Sequence, residues 1–235
     1  MPRRSTPPPA PGVRTAVGQV VQIVRIALYA VLGLLALLTL SEVPVVSRWM
    51  RGLGSQRPLV GVLAGHWQND SGAICPDGLQ EVEINLAVAR RAAQLLREQG
   101  YDAEVLPEYS SKLSGYRADA FVAIHCDSCL DGYSGYKVAS LSGSSASGRL
   151  LSDVSEAYAL ATGLPSHPDT ITDDMRQYHA LRQIDASTPG VIIECGFMGG
   201  DRYLLTEEQD RVAVGIANGV MAFLRRTAPP TTGAP

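Results

Sequence analysis

An α/β fold is predicted: a single domain with a mostly parallel twisted sheet flanked by helices, preceded by an N-terminal transmembrane helix. Three observations predict it. Pro58–Gly65 (PLVGVLAG), Ala120–His125 (AFVAIH) and Gly190–Cys195 (GVIIEC) are short apolar runs rich in β-branched residues, as expected of strands buried on both faces. Segments of helical periodicity alternate with them, which calls for crossover connections and helices on both faces of the sheet. Far upstream lies Ile26–Leu40 (IALYAVLGLLALLTL), an uncharged run with a lone Thr.

The elements follow in chain order. After the first strand, Glu81–Gln99 is predicted helical, with Gly100 in the position favoured for a left-handed cap. Asp102–Leu106 and Ala120–His125 follow as strands, and Gly135–Ser140 (GYKVAS) is read as another. Arg149–Thr162 is helical and again precedes a glycine, Gly163. Gly190–Cys195 is a further buried strand. Thr206 with Gln209 three residues on forms a capping-box signature, expected to open a helix that runs to Arg226. Ligands of such a sheet bind beyond the carboxyl ends of its strands.

The apolar run at 26–40 is short of the roughly 20 residues that cross a bilayer core. Extended to Val46 it is long enough, and an arginine near its start can snorkel to the headgroups. The expected organisation is therefore a cytoplasmic Pro/Arg-rich segment over 1–25, an anchor over 26–46, a basic linker over 47–57, a domain over 58–226 and a disordered tail over 227–235. Arginines before the run and Glu42 after it place the domain outside the membrane. A cleaved secretory signal would export the domain equally, though no convincing Ala-x-Ala-like site follows; a buried core helix is the third reading.

Charge narrows the function. Of 235 residues with a net charge of −3, residues 1–57 carry seven Arg against Glu42 alone, a balance of +6, and the remainder carries −9. Only two lysines, Lys112 and Lys137, are present. An acidic domain lacks the basic face that nucleic acid requires, and no Gly-rich phosphate-binding loop occurs.

Three polar residues stand where apolar strands end: His66 after VLAG, His125 after AFVAI and Glu194 after VII. A histidine at a strand end is often only a hydrogen-bonded structural residue. A carboxylate between Ile193 and Cys195 in a buried strand, however, loses hydration at a cost of several kcal/mol unless a partner compensates, which marks Glu194. Helical geometry adds a fourth. Val88, Ala92, Leu95 and Leu96 fall within about 60° of Glu81 around the predicted helix, whereas Glu83 shares its face with Arg90, Gln94 and Arg97. Glu81 is thus expected to face the protein, although it could merely cap its own helix. Two histidines and one carboxylate converging at a sheet edge match a catalytic zinc site, in which three protein ligands leave the fourth position open. Glu194 then remains as the general base of a hydrolysis.

The segments GHWQNDSGAICPDGLQEVEINLAVA, AFVAIHCDSC and TPGVIIECGFM resemble the zinc-dependent N-acetylmuramoyl-L-alanine amidases of the type-3 kind, over roughly Leu59–Leu224. The matching residues are Gly65-His66, Glu81 with Asn85-Leu86, Ile124-His125 and Glu194-x-Gly196-Phe197. The resemblance implies that His66, Glu81 and His125 bind Zn2+, that Glu194 is the catalytic base, and that the substrate is the amide between muramic acid and L-alanine in peptidoglycan. Leu181-Arg182 resembles the family's Leu-Arg, which makes Arg182 a substrate contact, with a surface ion pair as the alternative. Trp67 follows His66 where the family usually has Gly-Gly, and the segment PEYSSKLSGYRA is short, so a family helix there is reduced or absent. His179 is read as a half-buried histidine that could join the site.

Four cysteines in an exported domain suggest two disulfides. Cys75 and Cys129 lie in loops after His66 and His125, and loops at one sheet edge can meet; Cys126 and Cys195 could face one another on neighbouring strands. Cys126-x-x-Cys129 also permits a redox pair or a thiolate zinc site. The expected function is a membrane-tethered zinc amidase of the bacterial cell wall. Its rivals are a catalytically silent peptidoglycan-binding or regulatory module on the same fold, and a zinc hydrolase of another peptide amide.

Overall fold

Because β-branched runs alternate with amphipathic helices, the chain winds a five-stranded sheet in the order β2-β1-β3-β5-β4. The computed structural model describes residues 21, 22, 24–31 and 57–227. Its strands are β1 (Leu59–Ala64), β2 (Asp102–Pro107), β3 (Ala120–Asp127), β4 (Lys137–Ala139) and β5 (Gly190–Phe197). The helices are α1 (Glu81–Glu98), α2 (Ser145–Thr162), α3 (Asp173–Arg176), α4 (His179–Gln183), α5 (Arg202–Glu207) and α6 (Gln209–Thr227), with single 3-10 turns at Ser111–Leu113 and Pro168–Thr170. β2, β1, β3 and β5 are mutually parallel. The chain leaves β1 for β2 on one side and returns to β3 on the other, so the switch point where ligands collect lies between β1 and β3.

Side-chain alternation divides the core between the two faces of the sheet. Val60, Val62 and Ala64 of β1, Val122 and Ile124 of β3, and Val191 and Ile193 of β5 pack under the three long helices α1, α2 and α6. The opposite face, with Leu63, Phe121, Ala123 and Ile192, is covered by Met175, Tyr178, Leu181 and Ile184 from the short segment around α3 and α4. Helices α2 and α6 touch backbone to backbone at Gly219, where any side chain would run into Val154.

Several expected details change. The strand expected at Gly135–Ser140 is shortened to Lys137–Ala139 and runs antiparallel, paired to β5 at the sheet edge. The few residues between β3 and β4 hold no helix, and a parallel return needs a crossover of a dozen or more residues. The long C-terminal helix opens at Gln209, not at a capping box: Thr206 lies inside α5, where its hydroxyl donates to the Arg202 carbonyl (3.0 Å), and the Gln209 amide donates to the Leu205 carbonyl (2.8 Å). α2 starts earlier than expected because Ser144 caps it, its Oγ accepting the Ser147 N–H (3.1 Å). The segment after β2 is reduced to the 3-10 turn Ser111–Leu113.

Residues 21, 22 and 24–31 are helical and exposed, and among the described residues no helix is long and apolar enough to cross a membrane. Most of the expected anchor over 26–46 and most of its flanks over 1–25 and 47–57, with the tail beyond Thr227, lie outside the described residues.

Cys75 and Cys129 form a disulfide that joins the loop after β1 to the loop after β3, their Cα atoms 5.3 Å apart. The second expected pair does not form: Cys126 and Cys195 are free. Both are sealed in the core, and burial pushes the Cys126 thiol well above its ordinary pKa, which removes the thiolate and the access that oxidation requires. The bridge spans 54 residues, for which loop closure in the unfolded chain corresponds to about 4 kcal/mol. A Cys75→Ser/Cys129→Ser variant is expected to lose about 2–4 kcal/mol of unfolding free energy in urea titration; an unchanged midpoint would show that the loops hold without it.

Candidate active site

The chemistry sits in one row of side chains along the carboxyl edge of the sheet. Glu194 of β5 is paired with His125 of β3 on one side and with Lys137 of β4 on the other. Ala64 of β1 pairs with Ile124 and with Pro107, so the next position along the row is Gly65, flanked by His125 and Glu108. Residues opposite one another share a face of the sheet. The row therefore reads Glu108, Gly65, His125, Glu194, Lys137, and its glycine is a requirement: a Cβ at Gly65 would lie 2.5 Å from His125 Nε2 and 2.6 Å from Nδ1.

His66 follows that glycine in a left-handed conformation (φ 65°), which a side-chain-bearing residue rarely adopts. It is held there by its own groups: its carbonyl accepts the Asn69 N–H (2.9 Å) and the Asp70 N–H (3.1 Å), and its N–H donates to Glu108 Oε2 (2.7 Å). The imidazole is thereby turned towards the start of α1, with Nδ1 2.5 Å from Asp70 Oδ1 and Nε2 3.2 Å from Glu81 Oε2.

Glu81, the first residue of α1, is buried and points inward, while Glu83 is exposed. Its Oε1 accepts from Asn85 Nδ2 (3.0 Å) and the Cys126 N–H (3.1 Å) and lies 3.2 Å from His125 Nδ1; its Oε2 accepts the Ala73 N–H (3.0 Å). The helix amino terminus adds its own positive potential. Burial penalises this carboxylate, but the hydrogen bonds from His125 and His66 outweigh burial and hold its pKa well below the usual range. In return the bond to Glu81 carries His66 up to about 9 against the effect of burial. The His125 pKa is also raised: burial opposes its charge, and the Glu81 bond and the nearby carboxylates overcome it. The cluster is thus a pocket of negative potential that draws protons onto its imidazoles, as it would draw a dication in their place.

His66, Glu81 and His125 each offer a ligand atom, and these atoms lie within 4.8 Å of one another. Two nitrogens and one carboxylate oxygen are a donor set used for catalytic zinc. Beside them, Glu194 Oε2 is out of reach of solvent and makes no hydrogen bond. Burial raises the Glu194 pKa to about 7, with His125 pulling it down and Glu81 pushing it up. A buried carboxylate atom without a partner, next to three convergent ligand atoms, fits a site completed by a cation and a water.

The remaining candidates are placed less centrally. Arg182 is exposed on α4 and makes no ion pair or hydrogen bond with the cluster among the described residues; the alternative surface ion pair is not formed either. Trp67 packs half-buried against the core with the Arg90 guanidinium 5.9 Å from its ring. His179 is more than a half-buried histidine, because its Nε2 lies 2.6 Å from Glu108 Oε1 and its ring stacks on Tyr109. Sequence reasoning missed Glu108, Tyr178 and the part-buried pair Lys137–Asp127. Glu108 is the first polar residue past the end of β2, but that strand is half-exposed, so a carboxylate there gives no signal by itself.

An α/β sheet with two imidazoles and a carboxylate gathered at its switch point, beside a half-buried second acid, is a site that could hold a metal and carry out hydrolysis. Residues 60–222 match the type-3 family described as N-acetylmuramoyl-L-alanine amidase, and the chain belongs to that family. It is 30% identical over 149 residues to the N-acetylmuramoyl-L-alanine amidase AmiC of Neisseria meningitidis, a match covering 56% of this chain and 36% of that protein. The chain thus spans about a third of the length of that relative. It is also 30% identical over 176 residues to the uncharacterized protein YqiI of Bacillus subtilis, covering 68% of this chain and 82% of YqiI. Among solved structures it superposes on the N-acetylmuramoyl-L-alanine amidase AmiC2 of Nostoc punctiforme with a TM-score of 0.57 at 27% identity, over 74% of this chain and all of that one.

Proposed function

We propose that the chain hydrolyses the amide between N-acetylmuramic acid and L-alanine in peptidoglycan, with one Zn2+ held by His66, Glu81 and His125 and with Glu194 as the general base. The observation that carries this reading is the buried, partnerless Oε2 of the half-buried Glu194, a residue paired across the sheet with His125, in a chain of the amidase family. Zinc, when bound, supplies Lewis acidity to the scissile carbonyl and acidity to a water.

The protein supplies the rest. Glu194 takes the proton of the attacking water and returns it to the amine nitrogen of L-alanine as the C–N bond breaks, so no proton is gained or lost over the cycle. In the zinc-free chain burial raises the Glu194 carboxyl to about 7, so it holds a proton more readily than an exposed glutamate, the property a base that must also return its proton needs. Lys137, paired with Asp127 and seated next to Glu194 in the row, keeps a positive charge beside the base. Arg182, exposed with its guanidinium uncommitted among the described residues, is assigned a carboxylate of the stem peptide. The domain acts outside the cytoplasm, tethered through the apolar run over 26–46, with the basic linker at the membrane surface.

Purified peptidoglycan sacculi incubated with the zinc-loaded chain test the reaction. Mass spectrometry is expected to find stem peptides released with a free L-alanine amino group and glycan strands left with bare lactyl carboxyls. Stems cut at another amide would assign a different peptide bond, and zinc uptake with no release at all would assign a silent wall-binding module.

A further inference from the structure

Resting on the reading that His66, Glu81 and His125 hold zinc, we propose that Glu108 and Tyr178 are positioning residues for the metal: one buried carboxylate fixes both histidine ligands, His125 through the tyrosine hydroxyl and His66 through its backbone N–H.

The argument is one of counting protons. The His125 ring presents Nδ1 to Glu81 (3.2 Å) and Nε2 to the Tyr178 hydroxyl (3.0 Å). That hydroxyl has a single hydrogen and donates it to Glu108 Oε1 (2.6 Å), since an ionised carboxylate can only accept. The Tyr178 oxygen is therefore left as an acceptor, and the Nε2 of His125 must supply the hydrogen. Without a metal Nδ1 donates to the Glu81 carboxylate as well; where a cation takes the place of that proton, His125 stays as its Nε2–H tautomer and the Nδ1 lone pair faces the cluster. A hydrogen bond from the far nitrogen also raises the basicity of the ligating one.

Glu108 acts on the second ligand from its other oxygen. Its Oε2 accepts the His66 backbone N–H (2.7 Å), one of the bonds that keep His66 in the left-handed conformation aiming its ring at Glu81. His179 Nε2 meets Oε1 at 2.6 Å and so adds a further donor to the same carboxylate. The carboxylate is itself anchored: Glu108 directly follows β2, and its N–H donates to the Trp67 carbonyl (3.1 Å), strapping the end of β2 to the loop that carries His66. Glu108 and Tyr178 are both buried, and neither belongs to the ligand set.

Zinc affinity of the full-length chain, measured by competition with a chromogenic chelator, tests this. Tyr178→Phe removes only the hydroxyl and keeps the ring packing; Glu108→Gln keeps an acceptor for the His66 N–H but not the charge. Each is expected to bind zinc about 10–100-fold more weakly than wild type. The melting midpoint of the zinc-free chain is the second readout. A purely structural role would lower that midpoint and leave the affinity of the folded molecules within about twofold of wild type, and that result in both variants would overturn the proposal. A wild-type chain that takes up no zinc would overturn the metal reading beneath it, so the two failures are distinguishable.

Discussion

Glu194→Gln is expected to lower amide hydrolysis by about 10²–10⁴-fold while leaving zinc content at one per chain. Glutamine matches the shape of glutamate but cannot take a proton from water, so only the base is removed. Its site tolerates the change because Oε2 has no hydrogen-bond partner to lose and because Glu194 lies outside the three convergent ligand atoms.

The same substitution carries an opposite sign for stability. The folded zinc-free chain holds the Glu194 proton up to about pH 7, whereas the ordinary value is 4.5. Between those values the folded state binds more protons than the unfolded one, so this group's contribution falls as pH rises through about 7. Zinc-free Glu194→Gln should therefore match wild type near pH 4 and exceed it above pH 7, on the order of 1–3 kcal/mol. Urea titrations of the two chains at both pH values measure the difference; equal stability at high pH would mean that Glu194 is not held in a desolvated site. Gain in stability with loss of turnover is the signature of a group placed for chemistry rather than for the fold.

His125→Ala is the second large effect. It deletes a ligand and the centre of the polar row, and it leaves Glu81 Oε1 without its imidazole and Tyr178 without its donor. Zinc affinity is expected to fall by about 100-fold or more, beyond the range of outer-shell changes, with turnover falling to background even at saturating wall substrate. A variant that retained zinc would transfer the metal to another set of ligands. The zinc-free fold is expected to be destabilised as well, by up to about 3–5 kcal/mol, because removing one member of a buried pair leaves the Glu81 carboxylate less compensated.

Much of this centre was legible in the sequence for one physical reason: polar residues that interrupt an apolar run must be compensated, and His66, His125 and Glu194 each interrupt one, although β3 and β5 run on past His125 to Asp127 and past Glu194 to Phe197. Glu81 was separable from Glu83 because 3.6-residue periodicity assigns each to a face, and the structure finds Glu81 buried and Glu83 exposed. Glu108 escaped because Pro107-Glu108-Tyr109 lies beyond a strand with a half-exposed pattern, where a carboxylate needs no explanation. Its burial comes from Tyr178 and His179, which arrive from about 70 residues away. The direction of β4 was hidden because hydrophobic runs report burial and not polarity of pairing. The capping box at Thr206 failed because its residue pattern fits two starts, and the turn at Met198–Asp201 begins a helix sooner at Arg202. Cys126 and Cys195 were correctly placed on neighbouring strands, but closeness alone does not oxidise thiols sealed from solvent.

Anomalous scattering at the zinc edge, from crystals of the zinc-loaded chain, tests the central claim most directly. The predicted result is one peak at about 2.0–2.2 Å from a nitrogen of His66, a nitrogen of His125 and a carboxylate oxygen of Glu81, with Glu194 beside it and unbonded to the metal. A peak at Cys126 and Cys195, or none among the three proposed ligands, would contradict the account.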